Sequence, residues 1–239
     1  MENYLKKFRD RLRIMIILYT FCDPLEDKRS GKYGVFRSEI KIQALDFLLR
    51  YPDFLSMELM DLLDNNTSND KEKIGKIIEA IYLDNEPELR VEEMEKFFHG
   101  AYESIDDVIA YLVSVGLITH ESKKRSDGKT YDKIYYITYE GSNKIIRFLN
   151  DISAVEWYYD RCMLIKEYFG SFSGTELKSR QYRYGEYSNI SYRSHIQNIN
   201  SKVKLAYFQR FPQVCSRALC REYHFRRSGR NPSFRRRLQ

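Results

Sequence analysis

The sequence predicts a mostly α-helical protein with one small β-hairpin, and three patterns lead there. Apolar residues recur at three- and four-residue intervals along much of the chain, the period of a helix face turned to a core. Two short β-rich runs, Leu117 to His120 and Ile134 to Thr138, bracket a polar stretch centred on Asp127-Gly128, a hairpin-turn signal. After Gly141-Ser142, no Gly or Pro occurs until Gly170, which permits a helix of about 25 residues and on the order of 40 Å.

The elements follow in order. Tyr4, Phe8, Leu12, Met15, Ile16 and Tyr19 share helical spacing, as on an amphipathic helix packed on the domain. That helix ends by Cys22, because Asp23-Pro24 and Ser30-Gly31 mark a loop. Basic residues up to Arg13, then Ile14 to Leu18, imitate an export signal. The apolar stretch is too short for a membrane span, and Tyr19-Thr20-Phe21 form no small-residue cleavage site. A cytoplasmic protein with no membrane association is expected, with export the less favoured alternative. A second helix runs from about Arg37 to Tyr51, with Ile40, Ala44, Phe47 and Leu48 on one face, and stops before Pro52. Ser56 can cap a third through Leu63, and residues 65–70 form a polar loop. Ile74, Ile77, Ile78 and Ile81 stripe a fourth helix, and Pro87 breaks the chain before Val91, Met94, Phe97 and Phe98, again at helical spacing.

Ser104 and Asp107 have capping-box spacing, and Ile105, Val108, Ile109, Leu112 and Val113 form an inward face. Gly116 stands where a helix C-cap belongs. Past the hairpin, residues 171–194 lose any period among Gly, Ser, Tyr and Arg. Ile196 to Phe211 regain a stripe through Ile199, Val203 and Tyr207, halted by Pro212. Three segments together carry a resemblance: Leu112-Val113-Ser114-Val115-Gly116-Leu117-Ile118, then Asp127-Gly128-Lys129, then Tyr136-Ile137-Thr138-Tyr139-Glu140-Gly141. Their order resembles the winged helix-turn-helix regulators of the MarR and PadR types. The resemblance implies a winged helix-turn-helix core with flanking N- and C-terminal helices, a helix entering the DNA major groove, and a wing touching backbone or minor groove. It also implies dimerisation through the flanking helices. The expected divisions are residues 1–34 (N-terminal helix and loop), 35–148 (winged-helix domain), 149–211 (long helix and helical region) and 212–239 (basic tail).

Charge refines that expectation. The net charge of +6 conceals an acidic body and a basic end. From Ser201 onward there are eleven Lys and Arg against Glu222 alone, which leaves 29 basic and 33 acidic residues before it. Glu103, Asp106 and Asp107 crowd the start of the helix that would read bases, and no Lys or Arg occurs from Glu103 to Ser122. Carboxylates there would repel phosphates, whose attraction supplies most affinity for DNA. The hairpin has the opposite sign: Lys123, Lys124, Arg125, Lys129 and Lys133 fall within eleven residues beside Asp127 and Asp132. Such a tip can reach phosphates of double-stranded DNA, or be simply a solvated loop. A second basic surface is expected from Arg180 and Arg183, interleaved with Tyr182, Tyr184, Tyr187 and Tyr192, and from Arg226, Arg227, Arg230, Arg235, Arg236 and Arg237. The tyrosines can equally pack over the long helix. Lys is absent after Lys204 while nine Arg follow, a change that also fits an altered reading frame.

No phosphate loop, paired-His metal motif or hydrolase elbow occurs; in Gly170-Ser171-Phe172-Ser173-Gly174, Phe172 holds the nucleophile's place. Cys215, Cys220 and His224 lack a fourth ligand and a finger's spacing, and His99, His120 and His195 have no evident partner. The four cysteines, scattered through a long chain, fit reduced thiols. No enzyme, cofactor or metal is expected. Two readings remain: a non-enzymatic DNA-binding regulator or accessory factor acting through wing and tail, or a protein-docking subunit beside an ATPase in a chromosome-maintenance or phage-defence complex. In the second, Glu103, Asp106 and Asp107 would meet a basic partner; either way a homodimer or larger complex is expected.

Overall fold

The computed structural model describes residues 2–25, 28–63, 70–86, 93–97, 100–124 and 130–212. It is mostly helical with a small antiparallel sheet. The chain divides into two compact units, Met1–Arg50 with Glu92–Gln197, and Tyr51–Val91 with Asn198–Gln239. These units cut across the linear divisions at residues 34, 148 and 211.

In the first unit, α1 (Glu2–Phe21) contributes a continuous buried run, Ile14 to Leu18, each residue at most 2% exposed. Burying each such side chain contributes about 1.5–3 kcal/mol. The start of its stripe behaves differently, since Tyr4 and Phe8 are exposed. β1 (Asp23–Pro24) and β2 (Lys32–Arg37) follow, where only a loop was expected. The β-branched and aromatic run Tyr33-Gly34-Val35-Phe36 was the overlooked signal. α2 (Glu39–Arg50) stops before Pro52 as expected.

Glu95–Phe97 forms β3, paired antiparallel with β4 (Gly100–Tyr102), instead of the expected helix. Gly100 has φ +106°, a conformation that suits glycine and ends the apolar run's helical option. α5 (Asp106–Ser114) begins after Ile105, which makes no side-chain cap bond, so the Ser104–Asp107 capping box does not form. Its C-terminus is closed as the sequence indicated: Gly116, at φ +74°, donates to Val113 O (2.9 Å), and Leu117 donates to Leu112 O (3.0 Å). Those two bonds satisfy the last carbonyls of the helix in a Schellman arrangement.

β5 (Ile118–Lys124) and β6 (Thr130–Thr138) are longer than the sequence runs suggested, consuming part of the polar stretch between them. They belong to a four-stranded sheet of order β1-β2-β6-β5, all neighbours antiparallel. Thr138 then caps α6 (Tyr139–Asp151): its Oγ1 accepts from Gly141 N at 2.9 Å and lies 2.8 Å from Gly116 O. A Cβ at Gly141 would stand 2.2 Å from Leu117 O, so the Thr138-x-x-Gly141 spacing has a steric cause. The cap satisfies the helix, and the missing side chain lets α6 touch the turn after α5.

The expected single long helix is two, because Ile152 is extended (φ −133°, ψ 108°) between α6 and α7 (Ser153–Phe169). The break allows α7 to pack on both α1 and α6. The stretch read as irregular contains α8 (Gly174–Gln181) and α9 (Gly185–Ser188). Ser173 and Glu176 form a reciprocal capping box that starts α8, which packs on α2. Tyr187 is buried edge-on to Phe47, and its hydroxyl accepts from Ala101 N, which accounts for that tyrosine by packing.

The second unit holds α3 (Pro52–Leu63), α4 (Lys71–Leu83) and α10 (Asn200–Arg210). Pro52 is the first helical residue of α3, where its missing N–H costs nothing. Ser56 is therefore inside the helix rather than its cap, donating to Pro52 O at 2.7 Å. Asp53 fixes α10's start by accepting from Ile199 N at 2.5 Å. Among the described residues, no helix is long and apolar enough to cross a membrane.

Candidate functional site

The basic hairpin is positioned by the register of the sheet. β2 covers β6 only from Ile134 to Thr138, its last pair being Arg37 with Ile134. Beyond that point β5 and β6 continue alone, pairing Ser122 with Lys133, Lys123 with Asp132 and Lys124 with Thr130. A two-stranded ribbon therefore extends past the three-stranded part and carries Lys123 and Lys124 on its backbone. Arg125 and Lys129 lie outside the described residues.

Lys133 stands at the root of this ribbon and is held by two carboxylates. Its ammonium pairs with Glu39 Oε2 at 2.7 Å and Asp106 Oδ1 at 3.2 Å, tying the ribbon's root to α2 and α5. Burial works to lower its pKa, but hydrogen bonds and charge from the two carboxylates prevail and raise it. The folded state thus holds Lys133 charged at neutral pH. It is committed to a protein contact, which removes it from the set offered to phosphates.

The acidic cluster is likewise not uniform. Glu103 lies at the end of a buried charge network. Arg13 Nε donates to Asp46 Oδ1, Arg50 Nη1 lies 3.4 Å from Asp46 Oδ2, and Arg50 Nη1 also donates to Glu103 Oε2. Arg13 reaches Asp10 at 2.8 Å, Arg50 Nη2 donates to Glu93 O at 2.6 Å, and Lys6 meets Glu103 at 3.1 Å. Arg13, Asp46 and Arg50 are each at most 2% exposed. Burial acts to raise the Glu103 pKa, yet Arg50 and Lys6 outweigh it and hold the carboxyl below its ordinary range. For Asp10 the balance reverses: burial dominates and raises its pKa despite Arg13. Two local signs of this network went unread in the sequence: Asp46 with Arg50 four residues apart and Asp10 with Arg13 three apart, both at helix-neighbour spacing. Asp106 is exposed and shared with Lys133, and Asp107 is exposed.

The second predicted basic surface separates in the same way. Arg180 is buried, its guanidinium 5.3 Å and 5.8 Å from the ring centroids of Phe172 and Phe169. Its position on the inner side of α8 takes it out of any solvent-facing patch, a correction to the expectation. Arg183 is exposed just after α8. Arg226, Arg227, Arg230, Arg235, Arg236 and Arg237 lie outside the described residues, as do His99, Cys215, Cys220 and His224. Phe172 packs against Phe169, with ring centroids 6.2 Å apart. His195 does have a carboxylate neighbour: its Nδ1 is 3.4 Å from Glu93 Oε2, both side chains being exposed.

Cys162 is fully buried and its thiol pKa is raised, burial being the main cause. Burial also raises that of Cys22. Neither thiol is poised as a nucleophile. Among the described residues, no three His, Cys, Asp or Glu side chains gather as a metal site. An apolar groove of about 330 Å³ runs between α1, α5 and α6, flanked by the exposed Phe8, Tyr111 and Val115. Arg11 stacks over Tyr111 at 3.6 Å along it. No family model, curated protein or solved structure matches the chain.

Proposed function

We propose that the protein is a non-enzymatic winged-helix factor that binds duplex DNA through its basic ribbon, in a cytoplasmic regulator or accessory role. The fold part of the reading is supported by order and pairing. Helix α1, strand β2, helix α2, helix α5 and the β5–β6 hairpin follow one another within one unit, and β2 pairs with the returning strand β6. The chain departs from a compact helix-turn-helix by placing α3, α4 and the β3–β4 pair between α2 and α5.

The observation that carries DNA binding is the ribbon's extension beyond β2, with Lys123 and Lys124 along it and Arg125 and Lys129 in the turn sequence. Two-stranded ribbons fit DNA grooves, and lysines on them gain affinity by releasing counterions. The α5 start supplies no such attraction, having Asp106 and Asp107 exposed, so contacts to phosphates fall to the wing. The basic tail adds an electrostatic arm in the same reading.

The decisive experiment reverses Lys123, Lys124, Arg125 and Lys129 together and titrates the protein against a fluorescent duplex at several salt concentrations. Binding is expected to fall by at least tenfold and its salt dependence to flatten, since each lost phosphate contact removes about one unit from the log–log slope. Unchanged affinity overturns this reading and transfers weight to a docking role. That second reading draws on the exposed apolar residues Tyr4, Leu5, Phe8, Tyr111 and Val115, together with Asp107, a face suited to a homodimer or another subunit of a complex.

A further inference from the structure

A second opening in the first unit has the makings of a small-molecule site. It is a half-open pocket of about 430 Å³ between α2, β4 and α8, within the size range of ligand pockets. Its walls are largely apolar, with Ile40, Ala44 and Ala101 prominent. Most polar groups along it are already committed. Gln43 exchanges both amide bonds with the Glu103 backbone, and Gln181 donates to Ala44 O and accepts from the Tyr187 hydroxyl. Glu39 pairs with Lys133 at 2.7 Å.

Lys178 is different. It is half-buried on α8, lines the cavity, and its ammonium has no hydrogen-bond or ion-pair partner among the described residues. Its Cε lies 3.5 Å from where a Cβ at Gly100 would be, an ordinary contact distance that sets the lysine stem beside the start of β4. Burial with no compensating carboxylate lowers its pKa. A charge withdrawn from water without a partner is unfavourable, and an entering anion would supply the partner.

We infer that this cavity binds a small organic anion with an apolar body, the acid group opposite Lys178 and the body against Ile40, Ala44 and Ala101. The one carboxylate in the wall, Glu39, is drawn to Lys133, which it shares with Asp106, and this weakens its repulsion of such a ligand. The site stands apart from the nucleic-acid reading. Its occupant would nonetheless lie one ion pair from the root of the ribbon, through Glu39 and Lys133.

The test titrates the full chain with 8-anilinonaphthalene-1-sulfonate and, separately, with the uncharged N-phenyl-1-naphthylamine, following fluorescence. Lys178→Met is expected to weaken the sulfonate at least tenfold while leaving the uncharged probe within twofold. Lys178→Arg keeps the charge and is expected to bind the sulfonate within threefold of the native chain, which also shows that the site still folds. Ile40→Trp, filling the cavity, is expected to weaken both probes at least tenfold. Equal sulfonate affinity for the native chain and Lys178→Met overturns the proposal, because binding then lies elsewhere, such as the groove beside Tyr111. Equal losses in Lys178→Arg and Lys178→Met, or no saturable binding to the native chain, overturn it as well.

Discussion

The charges of the α1–α2 interior and those of the β5–β6 ribbon look alike in the sequence and behave in opposite ways. Arg13 and Arg50 sit on helices among apolar residues, and each is held by more than one acceptor. The ribbon carrying Lys123 and Lys124 extends past the strand that braces it, and Lys133, at its root, is paired with Glu39 and Asp106. The difference is one of solvation. A buried guanidinium must be matched by carboxylates and carbonyls or the fold fails, whereas an exposed ammonium is satisfied by water and is free to exchange it for a phosphate. Charge density alone therefore does not reveal a binding surface. Partner count does.

The comparison breaks most sharply at Asp46, the carboxylate shared by both buried arginines. Asp46→Ala leaves two interior cations short of a partner and is expected to cost about 3–5 kcal/mol in urea unfolding. A loss under 1 kcal/mol would mean that the network contributes little to holding α1 against α2.

Glu103 is intermediate, half-exposed and paired with Arg50 and Lys6. Glu103→Gln is expected to cost up to about 1.5–3 kcal/mol at neutral pH, the range for hydrogen bonds to charged groups. Its pH dependence is the sharper test. Because the folded carboxyl titrates below its ordinary value of 4.5, its contribution is present above that value and is lost as pH falls through the lower folded one. The native chain should lose stability relative to the Gln variant across that acid window, and parallel curves would remove Glu103 from the network.

The smallest effect is expected at Lys133, where the two regions meet. Lys133→Met should cost up to about 1 kcal/mol, as for a well-placed but partly exposed pair. It should also leave duplex affinity nearly unchanged, in contrast to reversal of Lys123, Lys124, Arg125 and Lys129. A large affinity loss from Lys133→Met alone would instead make it one of the cations that meet phosphates.

Local chemistry was legible wherever a residue's role depends on its near neighbours. Gly116 closes α5 because its left-handed backbone is cheap only for glycine, and Asp127-Gly128 lies between two strands that do pair. Thr138 and Gly141 were recognised by spacing, and the structure adds the reason: one caps α6, the other admits the Leu117 carbonyl. Misread segments were those decided by distant partners. β2 exists because β6 comes back alongside it from about a hundred residues away. β3 took the strand option because β4 pairs with it across Gly100, although Met94 and Phe97 have helical spacing. Ile152 breaks the long helix without Gly or Pro, so no breaker signal was present to be read.

The same division runs through the candidate site. Sequence alone determined that the chain is mostly helical, that a hairpin follows the Gly116 turn, and that five cations cluster on it, since period, turn chemistry and formal charge are properties of neighbouring residues. Only tertiary structure decided which of those charges are bound. Lys133 meets Glu39 across 94 positions of chain, Glu103 meets Arg50 across 53, and Arg180 turns inward onto aromatic rings. Whether a charge is spent on a protein partner or left to water depends on what folding brings within about 4 Å of it, and that proximity is not written in local sequence.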